Sequence, residues 1–95
     1  LLAPQPGNVT FPITRRHVRS GIAVSDTDIQ RAMYTAFRCL KLVVEPGGAV
    51  AFAALRNQSA SVAGDGPVLV MLSGGNVDAA LFSEALAIGA AAERT

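Results

Sequence analysis

Two short segments of this chain pair reactive side chains with glycines that let a ligand or a second backbone come close. Ser73-Gly74-Gly75-Asn76 follows the apolar run 67–72, and Glu45-Pro46-Gly47-Gly48 follows Leu42-Val43-Val44. A hydroxyl and free backbone N–H groups at the carboxyl end of a strand occupy the usual ligand position of an open α/β sheet. Read alone, Ser73-Gly74-Gly75-Asn76 is equally compatible with an anion site at a helix N-terminus and with a tight turn that merely needs glycine. Glu45, just before a proline at a helix start, sits at the positive end of the helix dipole, and a simple N-terminal charge would account for it. That reading weakens because Glu45 lies between an apolar run and a helix expected to be buried, where a carboxylate needs a partner.

The elements that must position these residues follow from periodicity and capping. Pro12 suits the first turn of a short helix within 9–20, and Ile22-Ala23-Val24 reads as an edge strand. Ser25 with Asp28 three residues on is a variant of the capping box. Ile29, Ala32, Met33, Ala36, Phe37 and Leu40 then recur at helical spacing and form one apolar stripe. From Pro46 to Leu55 the sequence is apolar all round, which predicts a helix buried on every side. Glycines at 47 and 48, in its first turn, suggest that something approaches the helix start closely. Residues 57–66 read as a surface loop, and Pro67-Val68-Leu69-Val70-Met71-Leu72 as a central strand covered on both faces. Asp78 can cap a last helix through Leu81, Phe82, Ala85, Leu86 and Ile88, with 90–95 as a fraying end.

Composition bounds the partners. The chain has 95 residues, 51% hydrophobic and 16% charged, with a net charge of +1. This fits at most one domain and gives no footprint for nucleic acid. Arg15, Arg16, His17 and Arg19 form a short basic cluster without interleaved aromatics, read as a solvated helix face. No apolar run is long enough to span a membrane, and Pro4, Pro6 and Gly7 stand where a signal peptide would need an apolar core. Cys39 has no internal disulfide partner, which favours a reducing, cytoplasmic setting, and reads as a small packing residue. No His, Cys, Asp or Glu cluster has the spacing of a metal site. The first residue is Leu1 rather than Met, which fits a processed or truncated chain.

One central strand and one short edge strand do not make a sheet, because a lone strand pair is marginal in water. The chain is therefore expected to be incomplete on its own.

Val24-Ser25-Asp26, Ala32-Met33, the run Leu40-Lys41-Leu42-Val43-Val44-Glu45-Pro46-Gly47-Gly48-Ala49, and Leu72-Ser73-Gly74-Gly75-Asn76-Val77-Asp78 together resemble, in order and spacing, the C-terminal part of the threonine/serine dehydratase family. Leu2-Ala3-Pro4-Gln5-Pro6-Gly7 and Thr10-Phe11-Pro12-Ile13 extend the similarity over essentially the whole chain. The resemblance implies an α/β fold of the tryptophan-synthase-β-like kind (fold type II). Residues 1–95 would be its C-terminal fragment, with helices packed on a parallel strand whose sheet partners lie outside the chain. It implies pyridoxal 5'-phosphate (PLP) as cofactor. Ser73 would hydrogen-bond the pyridine nitrogen, Glu45 would lie at the ring edge, and Gly74 would bring backbone close. Gly75, Asn76 and Asp78 are given only turn and cap roles. The family's Schiff-base lysine and its phosphate-binding loop have no counterpart here, so no catalytic residue is assigned in this segment. Lys41, the single lysine, reads as a solvated or paired ammonium on the polar side of its helix, and His17 as a surface residue.

The implied activity is β-elimination of L-threonine or L-serine to a 2-oxo acid and ammonia, once an N-terminal part or partner chain completes the site. Serine racemases and 3-hydroxyaspartate dehydratases resemble the region too. A non-catalytic fragment or assembly partner is the reading from a different class. The family commonly forms dimers or tetramers, so a homo-oligomer is expected of a complete protein.

Overall fold

The computed structural model describes residues 5–62 and 65–94. The described residues form helices: α1 (Thr10–His17), α2 (Asp26–Thr35) continued by a π-helical turn (Ala36–Leu40), α3 (Pro46–Val62) and α4 (Ala79–Glu93). Helix α2 is the hub. It packs against both α3 and α4, while α1 lies against none of the other helices. The buried core is Ile29, Ala32, Met33 and Ala36 from the α2 segment, Val44 just before α3, Ala49 and Ala53 from α3, and Ala85 from α4.

Local sequence signals explain where α2 and α4 begin. The Ser25 hydroxyl accepts the Asp28 N–H at 3.1 Å, and the Asp28 carboxylate accepts the Ser25 N–H at 3.2 Å, a complete capping box. Those hydrogen bonds, the backbone one foremost, hold the Asp28 carboxyl below its ordinary range. The Asp78 carboxylate accepts the Leu81 N–H at 3.2 Å and caps α4.

The expected apolar stripe holds through Ala36 and then rotates. The wider π turn carries Phe37 and Leu40 out to 43% and 50% exposure. Phe37 finds an edge-to-face contact with Phe82 of α4, ring centroids 5.6 Å apart. Cys39 lies on this turn and is exposed rather than packed. Lys41 ends the turn in the left-handed region, at φ 61°. It is not on the helix face, and its ammonium donates to the Arg38 carbonyl at 2.7 Å.

Three further expectations are corrected. Helix α3 does not stop at Leu55 before a loop over 57–66 but runs to Val62. It packs on α2 with Ala49 and Ala53 buried in the core, while Ala51 is exposed and Val50 and Phe52 are half-buried. The segments 22–24 and 67–72 are not strands. Among the described residues neither has a neighbour that completes a ladder, and Leu69 and Met71 stand 88% and 66% exposed. The regular elements among the described residues are thus helices, and the parallel strand expected to join sheet partners outside the chain is not formed among them. Finally, α4 does not fray at Ala90. It continues to Glu93, whose carboxylate is anchored across the helices; Thr95 is outside the described residues.

That anchor joins α2, α3 and α4. Arg56 of α3 donates from Nη1 to the Thr35 hydroxyl at 2.8 Å and to the Arg31 carbonyl at 3.2 Å, and pairs through Nη2 with Glu93. Thr35 donates to the same Glu93 oxygen at 3.4 Å, and Arg31 Nε lies 3.6 Å from it, a charge contact too long for a hydrogen bond. Hydrogen bonding from Arg56, aided by the Arg31 charge, holds the Glu93 carboxyl below the ordinary glutamate range.

One turn before Glu93, the α2–α4 contact depends on Gly89. A Cβ there would collide with the Gln30 carbonyl and come within 2.9 Å of Tyr34 Cβ. Alanine is favoured over glycine inside a helix by up to about 1 kcal/mol, but overpacking against backbone costs about 1–3 kcal/mol, so the clash wins. Gly89→Ala should lower the stability of the folded protein by about 1–2 kcal/mol in urea unfolding; a stabilised variant would mean the helices are not in this contact. For Glu93 the folded carboxyl titrates below its unfolded value. Its contribution is therefore present above the ordinary glutamate pKa of about 4.3 and lost as pH falls through the folded value. Glu93→Gln should flatten the loss of stability below about pH 4 relative to the parent, read from unfolding midpoints across pH.

Candidate functional site

The two motifs meet. The segment 72–75 runs beside 43–45, and the Glu45 N–H donates to the Gly74 carbonyl at 2.9 Å. The Glu45 carbonyl in turn accepts the Ala49 N–H at 3.1 Å and opens α3 behind Pro46. Glu45 is thus fixed at both its backbone groups, one to each motif. Val77 N–H closes the turn onto the Gly75 carbonyl at 3.0 Å.

Close approach explains the glycines better than backbone dihedrals do, because no described glycine has a positive φ. A Cβ on Gly48 would lie 2.7 Å from the Gly74 oxygen and 2.9 Å from its nitrogen. One on Gly75 would strike the Val43 carbonyl, and one on Gly74 the Glu45 carboxylate. The close approach expected at the start of α3 is therefore made by the Ser-Gly-Gly turn itself. Gly75 is also more than a turn residue, since it admits the Val43 carbonyl.

The Ser73-Gly74-Gly75-Asn76 turn does not itself open a helix: α4 begins only at Ala79, where the Asp78 carboxylate accepts the Leu81 N–H. What the turn offers instead is accessible polar groups. Ser73 is exposed and Gly74 and Glu45 are half-buried. Among the described residues the Ser73 hydroxyl and the Glu45 carboxylate have no hydrogen-bond or ionic partner. A neutral donor–acceptor and a carboxylate, both held by backbone packing and both unsatisfied, suit a polar organic ligand.

Other candidates fall outside this arrangement. The Lys41 ammonium is spent on the Arg38 carbonyl, and His17 is exposed in α1. A groove of about 340 Å³ between α2 and α4 is lined by Ile29, Met33, Pro46 and Leu81 with Asp26 and Glu84 at its rim, and by neither Ser73 nor Glu45. Among the described residues no three His, Cys, Asp or Glu side chains gather as a metal site would need, and no helix is long and apolar enough to cross a membrane.

Comparison with known proteins agrees with the motifs. The family described as "Pyridoxal-phosphate dependent enzyme" matches residues 1–74, a span that includes Glu45, Ser73 and Gly74. The chain is 39% identical over 80 residues to an L-threo-3-hydroxyaspartate ammonia-lyase of Pseudomonas sp, covering 84% of this chain and 25% of that protein. It is 38% identical over 79 residues to an L-threonine ammonia-lyase of Geobacter sulfurreducens, covering 83% and 19%. It is also 36% identical over 84 residues to a serine racemase of Oryza sativa subsp. japonica, covering 84% and 25%. The chain spans about a quarter of the length of such relatives. No solved structure matches it. With the family match covering the greater part of its length, the chain belongs to the pyridoxal-phosphate-dependent enzymes.

Proposed function

We propose that this chain supplies the ring-binding wall of a PLP-dependent ammonia-lyase acting on a small β-hydroxy amino acid such as L-threonine or L-serine. The observation that carries the reading is that the Glu45 carboxylate lies against Gly74, the residue after Ser73, with the Ser73 hydroxyl and the Glu45 carboxylate both unpartnered among the described residues. Bound PLP supplies an electron sink for the substrate's α-carbon.

In this reading Ser73 meets the pyridine nitrogen with a neutral hydroxyl. A hydroxyl hydrogen-bonds the nitrogen without a counter-charge that would force it to stay protonated, which leaves the ring a moderate sink. Gly74 presents no side chain on this wall, and Glu45 contributes a fixed negative charge at its edge. Both are held by the Glu45 N–H to Gly74 C=O hydrogen bond and the Gly48 contact, so the wall is pre-organised.

The lysine and the phosphate-binding loop of such a site would come from an N-terminal part or partner chain. The exposed apolar run 67–72, with Leu69 and Met71 open, suits burial against that part. The 95-residue chain alone is therefore expected to show no cooperative thermal transition and no turnover; sharp melting together with serine deamination would overturn this. In the complete protein, Ser73→Ala should lower kcat/KM for threonine by roughly tenfold or more, the cost of one lost hydrogen bond at a reacting ring, with an unfolding midpoint close to the parent. Full activity in that variant would remove Ser73 from the pyridine nitrogen. Product analysis separates the neighbouring readings: a 2-oxo acid marks the lyase, D-serine a racemase, and neither a non-catalytic chain.

A further inference from the structure

The three glycines that crowd the junction are not equivalent. A side chain on Gly48 would meet the Gly74 backbone, and one on Gly75 would meet the Val43 carbonyl. Those backbone atoms are fixed by α3 and by the Glu45–Gly74 hydrogen bond, so packing alone requires glycine at 48 and 75. At 74 the obstacle is different. The atoms nearest to a Cβ there all belong to the Glu45 side chain: first its Oε1, then Cδ at 3.2 Å and Cγ at 3.7 Å. A glutamate side chain swings aside at little cost, so folding does not need glycine at 74. What the missing side chain secures is the place of the carboxylate.

A second observation concerns that carboxylate. Asp28, Glu45 and Glu93 are the half-buried acids among the described residues. Asp28 is answered by Ser25 and Glu93 by Arg56. Glu45 has no polar partner among the described residues, although its backbone is pinned on both sides. A partly buried carboxylate held without a partner calls for a donor from outside the chain's own fold.

We infer that Gly74 is a positioning residue that seats the Glu45 carboxylate over the Ser-Gly-Gly turn, where it receives a hydrogen-bond donor of the bound ligand. Gly74 and Glu45 thus act as one unit. The inference rests on the PLP reading for the identity of that ligand, while the seat itself rests on the geometry.

The test uses the complete protein with Gly74→Ala, Glu45→Ala, the double variant and Gly48→Ala. Unfolding midpoints are taken without added PLP, and PLP affinity from the absorbance of the bound cofactor. Gly74→Ala should melt within about 2 °C of the parent, whereas Gly48→Ala should melt roughly 5 °C or more below it. Gly74→Ala should weaken PLP binding about tenfold through the displaced carboxylate. The double variant should bind no more weakly than Glu45→Ala alone, because the two changes remove the same interaction. The inference is overturned if Gly74→Ala melts as low as Gly48→Ala, or if the two affinity losses add. A parent that binds no PLP would sink the proposed function instead. A crystal structure of Gly74→Ala then decides the seat: a carboxylate turned off the Ser-Gly-Gly turn upholds it, and an unmoved one overturns it.

Discussion

Everything about the site depends on how closely two stretches of backbone approach. The start of α3 and the Ser73-Gly74-Gly75 turn lie so near that a methyl group at 48 or 75 would overlap main-chain atoms of the other segment. A single backbone hydrogen bond, Glu45 N–H to Gly74 C=O, sets their register. Sterics exclude side chains from the junction and hydrogen bonding stops it from sliding. Of the polar groups left over, the Glu45 carboxylate lies against Gly74 and Ser73 is exposed. A site built this way owes its precision to backbone rather than to long side chains, and loses less entropy when a ligand binds.

The helices keep that junction in place. Helix α2 carries α3 on one side and α4 on the other, and the two motifs precede those helices. Small residues, Ala49 and Ala53 on α3 and Ala85 and Gly89 on α4, bring the helices close to α2. At the far end the Arg56–Glu93–Thr35 cluster ties all three together through charge-assisted hydrogen bonds. The junction and the cluster thus secure α3 at its N-terminal and C-terminal halves, so tilting α3 would break one or the other.

What could be read in the sequence was what is local. Ser25 with Asp28, and Asp78 with Leu81, are contacts across three residues, and their residue types announce them. The glycines at 47 and 48 announced a close approach, though not that Gly74 makes it. The π turn was hidden because helical spacing through Leu40 looks the same until the backbone widens. The Arg56 cluster was hidden for another reason: its members are separated by 21 and 58 residues, and a lone arginine in a polar stretch carries no sign of its partner. The apolar run 67–72 read as a strand because its composition is that of one. A strand, however, exists only with a neighbour, and periodicity cannot say whether the neighbour is present. The meeting of Gly74 with Glu45 was not legible from either motif alone, since nothing in one points to the other.

Membership of the PLP-dependent family gives the accessible polar groups of the junction a chemical meaning. The most direct measurement is a crystal structure of the complete protein with PLP bound. This account expects the Ser73 hydroxyl within hydrogen-bonding reach of the ring nitrogen, about 2.6–3.2 Å, with the Glu45 carboxylate still seated on Gly74. A ring nitrogen that faces any other residue, or a cofactor lodged away from the Ser-Gly-Gly turn, would contradict it.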